Sequence, residues 1–135
     1  MKWFKMILGM LLLVTISSVA QEGRLSVYVN QIGDYNSLFS NTNTTHDQSI
    51  YNQFGNYNSV DVSVKSNVVN QNVEQFGNGN SFENYSYNSF NRQEVEVMQK
   101  GNNIDIQVFG SNSMSEGMKI LVTGNDKAVI VRNYN

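Results

Sequence analysis

Five glycines divide most of this 135-residue chain into units of nearly equal length: Gly33, Gly55, Gly77, Gly101 and Gly124 lie 22, 22, 24 and 23 residues apart. A fixed period of this size marks a repeat architecture, in which one supersecondary unit stacks on the next and no unit can bury its apolar face alone. Two residues before the glycines stand Gln31, Gln53, Gln75 and Gln99, with Val122 in the fifth unit. Three residues after them stand Asn36, Asn58 and Asn80, then Ile104 and Lys127. Three units are therefore close copies, and two have diverged while keeping the glycine and the spacing.

On both sides of each glycine the residues alternate with period two, the signature of a strand with one face buried. One face collects Leu25, Val27, Val29 and Gln31 in the first unit and Asn58, Val60, Val62 and Val64 in the second, with Asp61, Ser63 and Lys65 opposite. The same offsets carry Val95, Val97, Gln99, Ile104, Ile106 and Val108 in the fourth unit, and Met118, Ile120, Val122, Val129 and Val131 in the fifth. Tyr51, Gln71 and Asn84 also fall on the inward offsets, whereas Ile32, Phe54, Phe76 and the carboxylates Glu94 and Glu96 fall outward. The reading is an all-β fold: a β-solenoid of five strand-turn-strand repeats with cross-β stacking, at 25–46, 47–68, 69–91, 92–114 and 115–135. The stretch 84–91 belongs to the second strand of the third unit and its return turn. Proline is absent, so no strand residue lacks its backbone donor.

In this reading the glycine turns the chain by adopting positive φ, and the asparagine takes the left-handed region. Stacked units place Gln31, Gln53, Gln75 and Gln99 in one amide ladder and Asn36, Asn58 and Asn80 in another. Copies above and below then satisfy donors and acceptors that an isolated unit would leave unpaired.

The first twenty residues differ in kind. Lys2 and Lys5 precede an apolar run from Met6 to Ile16, and Ser18 and Ala20 are small residues at the expected cleavage positions. This is the layout of a secretory signal peptide over 1–20, leaving 21–135 as the mature chain. Loss of its two lysines leaves seven basic and eleven acidic residues, a net charge of −4, which offers nothing to a nucleic acid backbone. With no cysteine, a secreted chain must draw its stability from backbone pairing and packing. Asn and Gln number 30 of the 135 residues, a richness that suits stacked amide ladders.

Gln-x-Gly-x-x-Asn at 22-residue spacing behind a signal peptide resembles the curlin repeat of curli fibre subunits, on Gln31/Gly33/Asn36, Gln53/Gly55/Asn58 and Gln75/Gly77/Asn80. The resemblance implies a solenoid that self-associates into functional amyloid fibres of the biofilm matrix on the bacterial surface. It also implies a companion curlin subunit, and a curli-type secretion pore with accessory proteins. Departures are Leu38, Val60 and Phe82 where family repeats carry alanine, the absence of the motif asparagine from the last two units, and that of the glutamine from the fifth. Lys119, Lys127 and Arg132 cluster at the C-terminal end, which leans towards a nucleator-like subunit. A second class is a monomeric secreted solenoid that binds a flat surface such as polysaccharide or ice. Regular outward threonines would mark it, but the only threonine cluster, Thr42 to Thr45, is placed in one loop. His46, beside Asp47, is the only histidine and has no triad or metal-set companion, so it reads as a loop residue between units. No catalytic role, cofactor or metal is expected.

Overall fold

The computed structural model describes residues 13–18, 24–43, 45–89, 92–110 and 112–134. Among the described residues eleven strands form: β1 (Leu13–Ser18), β2 (Arg24–Ile32), β3 (Ser37–Thr42), β4 (His46–Phe54), β5 (Ser59–Ser66), β6 (Val69–Phe76), β7 (Ser81–Ser89), β8 (Gln93–Lys100), β9 (Ile104–Phe109), β10 (Glu116–Thr123) and β11 (Lys127–Arg132). They make two parallel sheets, one in the order β1-β3-β5-β7-β9-β11 and the other β10-β8-β6-β4-β2. Each repeat contributes one strand to each sheet, and the next repeat lies directly on top. This is the predicted β-solenoid.

The alternation of side chains holds strictly where repeats cover both flanks, as in β6 and β9, whose residues alternate buried and half-buried along their whole length. Between the sheets lies a narrow core of Leu38, Val60, Val62, Val64, Val69, Val73, Phe82, Val95, Val97, Ile104, Ile106 and Val108 with Tyr51. β-Branched residues dominate it because they pack well on a pleated surface and lose little χ1 freedom there. At the two ends no repeat covers the core: Val27 and Val29 at one, and Met118, Ile120, Val129 and Val131 at the other, are only partly buried.

Each turn takes two left-handed residues. The glycines Gly33, Gly55, Gly77, Gly101 and Gly124 have φ between 108° and 145°, and the second position falls on Tyr35, Tyr57, Gly79, Asn103 and Asp126. Asn36, Asn58 and Asn80 therefore do not supply the left-handed backbone expected of them. They stand one residue later, already buried at the mouth of the second strand, because the arc closes on the residue before.

The longer spacings are absorbed outside the turns. Gly117 is one extra residue in β10, since Glu116 pairs with Glu94 but Met118 pairs with Val95, and its φ of 83° is that of a glycine bulge. A second register shift lies between β5 and β7 at Lys65/Ser66. Two expected loop residues lie in strands instead: His46 opens β4, and Thr42 closes β3 with its side chain buried. The period-two pattern extends further along these strands than the polar composition of 41–48 advertised. Of the expected leader, residues 13–18 form β1, which pairs with β3 from Leu13↔Ser37 to Ser18↔Thr42. The remainder of 1–20, and the last two residues of 84–91, lie outside the described residues.

The two glycine roles are separable. Alanine at Gly55 would drive its Cβ into the Gly77 carbonyl on top of the positive-φ strain, whereas alanine at Gly117 meets no atom within 4 Å. Gly117→Ala is expected to cost about 1–2 kcal/mol, the left-handed penalty alone, and Gly55→Ala more than about 3 kcal/mol, through torsion and clash together. Urea unfolding midpoints check this, and equal losses would refute a packing role for the turn glycines.

Candidate functional site

The turn edge of the solenoid gathers all twelve motif residues into three vertical columns. In the first, Gln31 Nε2 donates to Gln53 Oε1, Gln53 Nε2 to Gln75 Oε1 at 2.9 Å, and Gln75 Nε2 to Gln99 Oε1 at 2.8 Å. The series has one direction: each amide donates towards the C-terminal end. The spare hydrogens go to the opposite strands, from Gln53 to Ser37 O and from Gln75 to Ser59 O, both at 3.0 Å. Gln53, Gln75 and Gln99 have no exposed surface, so these bonds form in a dry environment where an unpaired amide is costly.

The asparagine column is built differently from an amide-on-amide ladder. Asn36 Oδ1 accepts from the Asn58 backbone N–H and Asn58 Oδ1 from the Asn80 N–H, each at 3.0 Å, while Asn80 Oδ1 accepts from Ile104 N–H at 3.1 Å. Their Nδ2 groups donate forward to the carbonyls of Gly55, Gly77 and Gly101 at 2.8 to 3.0 Å. Each asparagine thus ties its own rung to the turn of the next. Gly33, Gly55, Gly77, Gly101 and Gly124 stack as the third column, with Gly55 N–H donating to Ile32 O, Gly77 N–H to Phe54 O and Gly101 N–H to Phe76 O, all at 2.9 Å.

A fourth column went unread in the sequence. The residue after each glycine is Asp34, Asn56, Asn78, Asn102 or Asn125, and the backbone N–H of each of the first four donates to the side-chain oxygen of the next, at 2.8 to 3.0 Å. It is the one polar feature besides the glycine that survives in all five repeats, and Gly-Asn/Asp at constant spacing was its signal. On the outer surface, Phe54 stacks on Phe76 at 5.0 Å and, in the turns, Tyr35 on Tyr57 at 4.9 Å, with nearly parallel rings in both pairs. Glu96 is bridged by Lys119 one rung away at 3.0 Å, and Glu94 lies 3.7 Å from Arg92. These exposed pairs contribute little to stability.

At the other end of the rungs the interior is polar. Asp47 is 4% exposed and accepts from Ser49 Oγ at 2.6 Å, and Tyr51 Oη donates to Gln71 Oε1 at 2.9 Å. Burial holds the Asp47 carboxyl above its ordinary 3.8, against the opposing hydrogen bonds from Ser49 and Thr42. Burial likewise pushes the Tyr51 hydroxyl upward. Among the described residues no three His, Asp or Glu side chains converge as a metal set. Comparison of the chain with family models, with curated proteins and with solved structures finds no match.

Two outcomes follow from this geometry. Gln53→Leu strips an acceptor from Gln31 and a donor from Gln75, whereas Gln31→Leu strips a donor from Gln53 alone. The expected losses are about 2–4 kcal/mol and about 1 kcal/mol respectively, read from denaturant midpoints, and equal losses would refute the column as a stabilising series. For Asp47, the folded carboxyl holds its proton more tightly than the unfolded one, so its contribution to stability is fully present below pH 3.8 and is lost as pH rises through the raised folded value. Asp47→Asn should flatten that decline and stabilise the fold at pH 7. Parallel pH profiles for the two proteins would contradict the assignment.

Proposed function

We propose that the chain is a secreted structural subunit that assembles end to end into curli-type functional amyloid fibres of an extracellular, surface-attached matrix, together with a companion subunit of the same repeat type. One observation carries this reading. The solenoid is a cross-β stack with open ends, where parallel strand edges and half-covered apolar side chains repeat the geometry found between every pair of internal rungs. Addition of another rung at either end uses the same backbone hydrogen bonds and the same 4.7–4.9 Å strand spacing as the interior. The chemistry is backbone pairing and side-chain stacking, not catalysis.

Two further features support it. The stacked aromatic pairs run along the stacking axis and show like side chains of successive rungs packing on one another. The leader expected at 1–20 contains β1, the strand that covers the edge of β3. Its removal on export frees that edge, so assembly competence follows secretion rather than preceding it. Passage through a curli-type pore and accessory proteins belongs to the same reading.

Purified 21–135 is expected to form thioflavin-positive fibres after a lag, with a meridional reflection near 4.8 Å. A β-rich chain that stays monomeric at high concentration would overturn the assembly reading.

A further inference from the structure

The register of the strands fixes what a head-to-tail junction between two copies would place in contact. Column by column, the last rung of one copy lies where the interior places the rung before the first: Met118 over Val27, Ile120 over Val29 and Val129 over Leu38. These apolar columns continue across the junction. The turn column continues too, because the Asn125 backbone N–H, the next donor in that series, meets the Asp34 carboxylate of the following copy in a charge-assisted bond.

The two inner amide columns do not continue. Gln31 is 9% exposed and its Oε1 has no hydrogen-bond partner. Because every amide in the series donates towards the C-terminal end, that oxygen waits for an Nε2 from the preceding rung. The residue that a second copy brings to the position is Val122, which has no donor. The asparagine column fails in the same way: inside the stack each Asn N–H is accepted by the Asn Oδ1 of the rung before, and a second copy brings Lys127 there, which has no acceptor. Gln99 already marks the break: its Nε2 keeps the bonds to Ser81 O at 2.7 Å and Ile104 O at 2.9 Å that Gln75 makes to Ser59 O and Asn80 O, but Val122 offers it no acceptor ahead.

We infer that the N-terminal face of the solenoid, with the Gln31 amide oxygen and the Asn36 N–H, is a docking surface for the last rung of a different chain, one carrying glutamine and asparagine at the columns that Val122 and Lys127 occupy here. The inference rests on the assembly reading above and gives that partner a chemistry. Val122 and Lys127 are the specificity determinants that make self-addition the weaker junction. The chain is thereby directional: its first rung accepts an amide-terminated partner, and its last rung offers the next subunit apolar columns and the turn series alone.

The test uses the chain as its own probe. Val122→Gln/Lys127→Asn rebuilds Gln-x-Gly-x-x-Asn in the last rung, and seeds of this variant present the missing groups at their C-terminal ends. Wild-type 21–135 is expected to elongate from variant seeds about tenfold faster than from wild-type seeds, the effect of restoring two hydrogen bonds. Gln31→Leu monomer, which lacks the waiting acceptor, is expected to lose most of that gain. Equal elongation on the two seed types would overturn the inference and leave the assembly reading standing. A gain that survives in Gln31→Leu would also overturn it, since it would trace to a stiffer last rung rather than to the junction. If neither seed elongates and no chain forms fibres, the assembly reading itself falls, and the inference with it.

Discussion

The carbonyl of each turn glycine lies where a Cβ on the glycine of the preceding repeat would have to go, and the rest of the solenoid depends on that approach. With no side chain between them, successive turns come close enough for the glycine N–H to bond the backbone one rung away at 2.9 Å. That contact sets the rung spacing at the one place where the chain is not a strand. Both flanking strands then leave the turn at the height required for parallel pairing, and the pairing keeps positions 22 residues apart in one column. Every side chain in the three regular repeats thus has its own equivalent as vertical neighbour. A favourable stack such as Phe54 on Phe76 forms wherever two successive repeats keep the residue, and an unfavourable one would recur in the same way.

How much of this was legible follows from which signals repeat. The glycine period and the alternation around it were enough for the strand pairs, the inward residues from Val60 to Val108, and the glutamine column. These properties are set by residue type at a fixed offset. The role of Asn36, Asn58 and Asn80 was not legible in full, because the torsional preference of asparagine and its capacity to bond a neighbouring rung predict the same residue at the same place. The structure gives the torsion to Tyr35, Tyr57, Gly79, Asn103 and Asp126, a position whose residue types share no obvious pattern. The bulge at Gly117 shows the converse: a spacing of 23 announces one extra residue but not where it goes, and the glycine without a neighbour at its Cβ position is the site that tolerates it. Thr42 and His46 were read as loop because polar residues surround them, although tertiary pairing carries both strands through that stretch.

The fifth repeat shows which constraints a terminal rung escapes. It keeps the glycine, the Asn125 turn bond and the apolar offsets, all of which face the fourth repeat. It loses glutamine and asparagine at the two columns whose remaining valences point towards the open end. Leu121 and Ile130 are at the same time exposed on its outer faces, and Lys119 is paired to Glu96 below.

The buried amides also settle a problem that an all-valine interior would leave open. In a parallel stack a slip of two residues keeps every inward side chain inward, so alternation alone does not distinguish the correct register from its neighbours. Valine columns such as Val73 and Val97 would pack nearly as well after such a slip. Gln53 would not: displaced by two, its amide would face Val73 or the turn rather than Gln75, leaving donor and acceptor unpaired in a region without water. Asn58, fixed to the next turn through both its oxygen and its nitrogen, imposes the same penalty in the other sheet. The apolar columns thus supply adhesion in any even register and the amides reject all but one. A stack that grows by adding rungs needs that selectivity at each new junction, and it resides in the two columns that the terminal repeat lacks.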